Sequence, residues 1–212
     1  MINRLDYIEM IDFYTYGTIN GKAVAIALEL MGLKYRTHLI DLTQGEQRLP
    51  EFLAINPSGR IPVIRDEVDG ESILLSQTGA ILIHLAEKTK QLLSRDAVIR
   101  AHTFQWMQFI LTDIGTNVFN NFHLKALVSP QQPEAGEMLK QRAIKFCYEI
   151  DQQLDGNRYI VGEQLSLADV VAFPVIQQLK DDLLKGRCPN ISIWYGMLSE
   201  NKTIAKCMRI GL

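Results

Sequence analysis

Three stretches of the sequence set ligand-bonding side chains beside backbone groups that regular structure leaves unpaired. Thr18-Ile19-Asn20-Gly21 is turn-like. It follows the strand-like run at residues 10–14 and precedes Ala23, Val24, Ala27, Leu28, Leu30 and Met31, which repeat at helical spacing. Thr18 and Asn20 thus stand at a helix start, where either can cap free N–H groups. Gln77-Thr78 opens a second helix, whose buried side is supplied by Ile81, Leu82 and Leu85. A hydroxyl there, together with the backbone N–H groups of the helix start, can hold a carboxylate. Ile61-Pro62 begins a third strand with proline near its start, where a missing N–H does least damage. On composition alone the bond before Pro62 reads as trans, since only about one X–Pro bond in twenty is cis in folded proteins.

Other chemistries find little support. Cys147, Cys188 and Cys207 are odd in number and widely spaced, against both a disulfide framework and a zinc site. They fit a reducing compartment, and the expected location is cytoplasmic. His38, His84, His102 and His123 share no ligand spacing, and no metal is expected. The net charge of −2 comes from 22 Lys/Arg and 24 Asp/Glu with no long run of either sign, so no nucleic-acid footprint appears. No window approaches the roughly 18 consecutive apolar residues of a membrane helix. Acidic and polar breaks near the N-terminus argue against a secretory signal.

The elements that must position these residues form two groups. With 212 residues, 47% apolar and 22% charged, the chain is an ordinary globular one, long enough for one large domain or two modest ones. After a leading arm of about nine residues come a strand, a helix ended by Gly32, and a second strand over 35–42. A polar connection then leads to the Asn56-Pro57-Ser58-Gly59 turn. Two strands joined by an Asp69-Gly70 hairpin follow, and then a helix over 77–87. From Val98 the spacing is helical, predicting helices at about 97–123, 134–155, 166–184, 191–199 and 201–208. Ser166 and Asp169 have the spacing of a capping box. The expected domains are 10–88 and 97–212, with 89–96 as linker.

This order resembles the cytosolic glutathione transferases: an α/β thioredoxin-like N-terminal domain followed by an all-α C-terminal domain. Four stretches carry the resemblance, namely Pro50 to Ile64, Leu75 to Ile81, Thr15 to Gly21, and Val161 to Val170. The resemblance implies that Pro62 is cis and that the Ile61 backbone pairs with the peptide backbone of glutathione, a short form of β-augmentation. It implies that Gln77 and Thr78 meet the γ-glutamyl end. The family usually has an acidic residue where Gln77 stands, so a charge-assisted bond becomes a neutral one. Arg60 and Gln47 are candidates for the glycyl carboxylate. Thr18-Ile19-Asn20 resembles a bacterial class related to glutathione-dependent disulfide-bond reductases, which uses Thr and Asn beside the glutathione sulfur. Tyr16 is the alternative donor, and Tyr14 is assigned to the strand.

The implied chemistry is activation of the glutathione thiol for attack on an electrophilic carbon or a disulfide. A donor near sulfur stabilises the thiolate, and the helix N-terminus adds positive potential. No cysteine lies in the loop, so the reactive sulfur belongs to glutathione. The alternatives are a glutathione-dependent disulfide-bond oxidoreductase and a non-catalytic glutathione-binding or regulatory protein. The expected partners are glutathione, a small electrophile or disulfide, and a second copy of the chain in a homodimer.

Overall fold

The computed structural model describes residues 10–210; the expected leading arm, 1–9, lies outside them. The chain divides into two compact units, Leu92–Lys202 and the remainder.

The first unit is a four-stranded sheet with helices. Its elements are β1 (Ile11–Thr15), α1 (Ile19–Leu30), β2 (Tyr35–Leu39), a 3-10 turn (Glu46–Arg48), α2 (Pro50–Leu53), β3 (Val63–Val68), β4 (Glu71–Ser76) and α3 (Thr78–Thr89). The strand order is β2-β1-β3-β4. β1 and β2 are parallel, as a crossover through α1 requires, and the β1–β3 and β3–β4 pairs are antiparallel. The hairpin turns at Asp69 and Gly70, both at positive φ. Ala23 to Leu28 of α1 are all buried, which lets a narrow helix lie close on the sheet. The second strand stops at Leu39, short of the expected Leu42, because Asp41 to Glu46 close on themselves through side-chain bonds.

The second unit is all helical: α4 (Ala97–Phe109), α5 (Thr116–Phe122), α6 (Pro133–Gln153), α7 (Leu167–Leu183) and α8 (Pro189–Ser199). Thr103, Met107, Ile110, Ile114 and Val118 form one buried stripe at helical spacing. The continuous helix expected over 97–123 is interrupted by π turns at Ile110–Gly115 and His123–Leu127. In the first, Thr116 Oγ1 donates to the Leu111 carbonyl five residues back, the spacing of a π turn. α7 is buried at every position from Leu167 to Ile176.

A terminal helix, α9 (Lys202–Cys207), was expected in the helical domain, yet residues from Thr203 onward group with the first unit. Ile204 and Cys207 are buried, and Lys206 Nζ lies 2.8 Å from Glu29 Oε1 on α1. No helix among the described residues is long and apolar enough to cross a membrane.

Candidate active site

Strand register gathers the three stretches at one end of the sheet. The last β1–β3 pair is Tyr14 with Val63, and Val63 also pairs with Ser76 of β4. Continued one residue, that register sets Pro62 between Thr15 and Gln77. Neighbouring strands lie about 4.8 Å apart, so the edge from the Thr18 loop to Gln77 spans on the order of 10 Å. An extended tripeptide has the same length, at about 3.3–3.6 Å per residue.

The Ile61–Pro62 bond is cis. Pairing of β3 starts at Val63, and among the described residues neither backbone group of Ile61 has a hydrogen-bond partner. The Ile61 side chain packs on Tyr14, Phe52 and Val63. Buried Asn56 holds the loop before it. Its Nδ2 donates to the Arg60 carbonyl at 2.6 Å, and its Oδ1 accepts from Ser58 N and Oγ. Gly59 is at φ +62, and a Cβ there would lie 3.0 Å from the Gln47 carbonyl oxygen. Only glycine fits both conditions. The Asn-Pro-Ser-Gly signal located this turn, but nothing in it marked Asn56 as the residue that fastens it.

Thr18 is the N-cap of α1, with Oγ1 accepting from Gly21 N at 3.1 Å. That bond uses a lone pair and leaves the hydroxyl proton to donate elsewhere. Asn20, in the first turn, is exposed. Tyr14 is buried in β1 and stacks on His38, with ring centres 4.6 Å apart. The Asp41 carboxylate pushes the Tyr16 pKa up, and hydrogen bonds from Thr43 hold the Asp41 pKa below the ordinary aspartate value.

Gln77 stands at φ 73 and ψ 118, a sparsely populated region for any residue but glycine. It is exposed and its side chain makes no capping bond, so it does not serve merely to start α3. Thr78 is buried at the first helical position. Arg60 is exposed, and its fixed contribution is the carbonyl held by Asn56. Gln47, in the 3-10 turn, has a buried Oε1 without a hydrogen-bond partner. A buried amide oxygen without a partner is uncommon in a folded protein. The three cysteines are free and buried, and burial raises their pKa values, to about 11 for Cys188 and Cys207. None is a reactive thiolate near this edge.

Comparison with known proteins points the same way. The glutathione S-transferase N-terminal domain model matches residues 21–88, beginning immediately after Asn20, and the C-terminal domain model matches 116–208. The disulfide-bond oxidoreductase YfcG of Escherichia coli (strain K12) is 34% identical over 168 residues, 78% of each chain. A glutathione transferase family member from Pseudomonas fluorescens pf-5, solved with two glutathione bound, superposes with a TM-score of 0.88 at 27% identity, covering 98% of this chain and 96% of that one. A glutathione transferase from Pseudomonas putida, solved with one glutathione disulfide per subunit, gives 0.87 at 25% identity, covering 98% and 94%. A thioredoxin-like sheet carrying a cis-proline edge, followed by an all-helical unit and matched in both parts, makes this chain a member of the glutathione S-transferase family.

Proposed function

We propose that the chain binds glutathione along the sheet edge at Ile61-Pro62 and activates its thiol for attack on a disulfide or an electrophilic carbon. The observation that carries this reading is the strand register, which lines up the Thr18 loop, the unpaired Ile61 backbone and Gln77-Thr78 over one tripeptide length. The γ-glutamyl carboxylate meets the Thr78 hydroxyl and the N–H groups opening α3, with Gln77 beside the ammonium. The glycyl carboxylate meets Gln47, whose amide, turned over, presents Nε2 where Oε1 now stands unpartnered, with Arg60 close to hand. The sulfur faces Thr18 and Asn20.

Lowering the thiol pKa raises the thiolate fraction near neutral pH, and the thiolate is the nucleophile. In disulfide exchange it attacks one sulfur of the substrate, forms a mixed disulfide with glutathione, and releases the other sulfur as a thiolate. A second glutathione thiolate then attacks the glutathione sulfur of that mixed disulfide, giving glutathione disulfide and the second substrate thiolate. Of the two electrophiles, the disulfide is favoured by the likeness to the disulfide-bond oxidoreductase YfcG and by the glutathione disulfide in the Pseudomonas putida structure. The chain works as a cytoplasmic homodimer, which sedimentation at low concentration tests.

Turnover of a mixed glutathione disulfide, compared with an aryl halide, tests the assignment. Thr18→Ala and Asn20→Ala lower turnover more than glutathione affinity, because each unit added to the thiol pKa removes about tenfold of the thiolate. Unchanged kinetics in both single variants and in the double variant would remove Thr18 and Asn20 from the mechanism.

A further inference from the structure

The loop that leads into Ile61 is organised by one buried side chain. Asn56 N donates to the Phe52 carbonyl at 2.8 Å, which ties the residue to the end of α2. The Asn56 carbonyl accepts from Gly59 N at 2.9 Å, and its Oδ1 accepts from Ser58 N at 3.2 Å and Ser58 Oγ at 2.9 Å. Those bonds would close the turn by themselves. The Nδ2 bond reaches further along the chain, to the Arg60 carbonyl at 2.6 Å. That carbonyl shares one planar peptide unit with the Ile61 N–H. The cis bonds among the described residues are Ile61–Pro62 and Ser129–Pro130, so the Arg60–Ile61 unit is trans, and its C=O and N–H point opposite ways. Holding the carbonyl on Asn56 therefore turns the Ile61 N–H away from Asn56, to where it has no protein partner. The Ile61 side chain, packed on Tyr14, Phe52 and Val63, pins the same residue from another side.

We propose that Asn56 is a positioning residue: by holding the Arg60 carbonyl it sets the plane of the Arg60–Ile61 peptide and so aims the Ile61 N–H at the backbone of bound glutathione. This rests on the glutathione reading above. Asn56 acts on how tightly the tripeptide backbone is held, whereas Thr18 and Asn20 act on the thiol. A turn residue of purely structural value would change the stability of the fold and leave the affinity of folded molecules alone.

The test uses the full chain with Asn56→Ser and Asn56→Ala. A serine hydroxyl can still accept from Ser58 N in the manner of an ST turn, but it is too short to reach the Arg60 carbonyl. Alanine removes all three side-chain bonds. Glutathione affinity per folded molecule is read by calorimetry, and the bound thiol pKa by thiolate absorbance. Both variants bind glutathione about fivefold to thirtyfold more weakly, the worth of one or two net hydrogen bonds, while the bound thiol pKa stays at the wild-type value. In turnover of a mixed glutathione disulfide, KM for glutathione rises and kcat stays within about twofold. If Asn56→Ala fails to fold, Asn56→Ser decides alone. Wild-type affinity in folded Asn56→Ser overturns the positioning role, as does a raised thiol pKa at unchanged affinity. A wild-type chain that fails to bind glutathione overturns the proposed function and this role with it; a wild-type chain that binds, beside variants that bind equally well, overturns this role alone.

Discussion

Asp66 in the first unit and Asp169 in the second are both buried carboxylates, and they are kept in opposite ways. Asp66 lies on β3 beneath α3. His84 Nε2 and Lys88 Nζ each approach one of its oxygens at 2.7 Å, and Glu67 N donates at 2.9 Å. Burial pushes its pKa up, but the bonds from Lys88 and His84 and the Lys88 charge outweigh burial and hold it below the ordinary aspartate value. Asp169, on α7, has no cation among its partners. Ile160 N and Trp194 Nε1 donate to one oxygen, and Ser166 N and Oγ donate to the other, all at 2.9–3.0 Å. Here burial prevails over those neutral donors and the pKa rises. Counter-charge rather than depth decides which way a buried carboxylate moves. It also decides what each residue does: Asp66 clamps the helix whose first residue is Thr78, whereas Asp169 ties three segments of the second unit.

Removing Asp169 should have the largest effect. Asp169→Ala strands the Ile160 and Ser166 N–H groups and the Trp194 indole in a dry interior, costing about 4 kcal/mol. Denaturant unfolding measures the loss, and calorimetry on the folded fraction should find glutathione affinity unchanged. A fully folded variant with greatly weakened binding would break the division of labour between the two carboxylates.

The capping box is where the sequence was most legible and also where it undersold the site. Ser166 and Asp169 are three residues apart, so their pairing follows from helix geometry alone. The Trp194 bond spans 25 residues and has no local signal. The same rule holds in the first unit. The Thr18 cap, the Asp69-Gly70 hairpin and the strand order through the cis edge follow from short-range chemistry and a family pattern. The Asp66–His84–Lys88 cluster does not. Asp66 occupies a strand position that burial would give to an apolar residue, and its cations lie 18 and 22 residues on. The left-handed backbone of Gln77 was not legible either, because a side chain there opposes local preference and only the surrounding structure imposes it.

Asp66→Asn sharpens the comparison through pH. It should cost about 2 kcal/mol at neutral pH, less than Asp169→Ala, because Lys88 and His84 are 25% and 20% exposed and can turn toward water. The signs then diverge. The folded pKa of Asp66 is lowered, so its contribution is complete above the unfolded value of 3.8 and is lost as pH falls through the folded one. The folded pKa of Asp169 is raised, so the fold takes up a proton first, and its contribution grows as pH falls from the folded value toward 3.8. Unfolding curves in a pH series should show the wild-type advantage over Asp66→Asn shrinking in acid, while that over Asp169→Asn widens. Parallel trends would remove the distinction.

A third carboxylate, placed where water can reach it, gives the smallest and most selective effect. Gln77 is exposed at the start of α3, the helix that Asp66 clamps further along. Gln77→Glu adds a charge without burial, so it meets no desolvation cost, and at a helix N-terminus it is mildly favourable, by a few tenths of a kcal/mol. Unlike Asp66 and Asp169 it has no protein donor to satisfy, since no side-chain capping bond exists to lose. Its partner is the γ-glutamyl ammonium, and a charge-assisted bond there is about twice as strong as the amide's. Glutathione should bind about fivefold to tenfold more tightly, with the gain shrinking as salt is raised. An unfolding midpoint that drops with no gain in affinity would mean that Gln77 faces the protein rather than the ligand, and the γ-glutamyl end would have to be sought elsewhere along the edge.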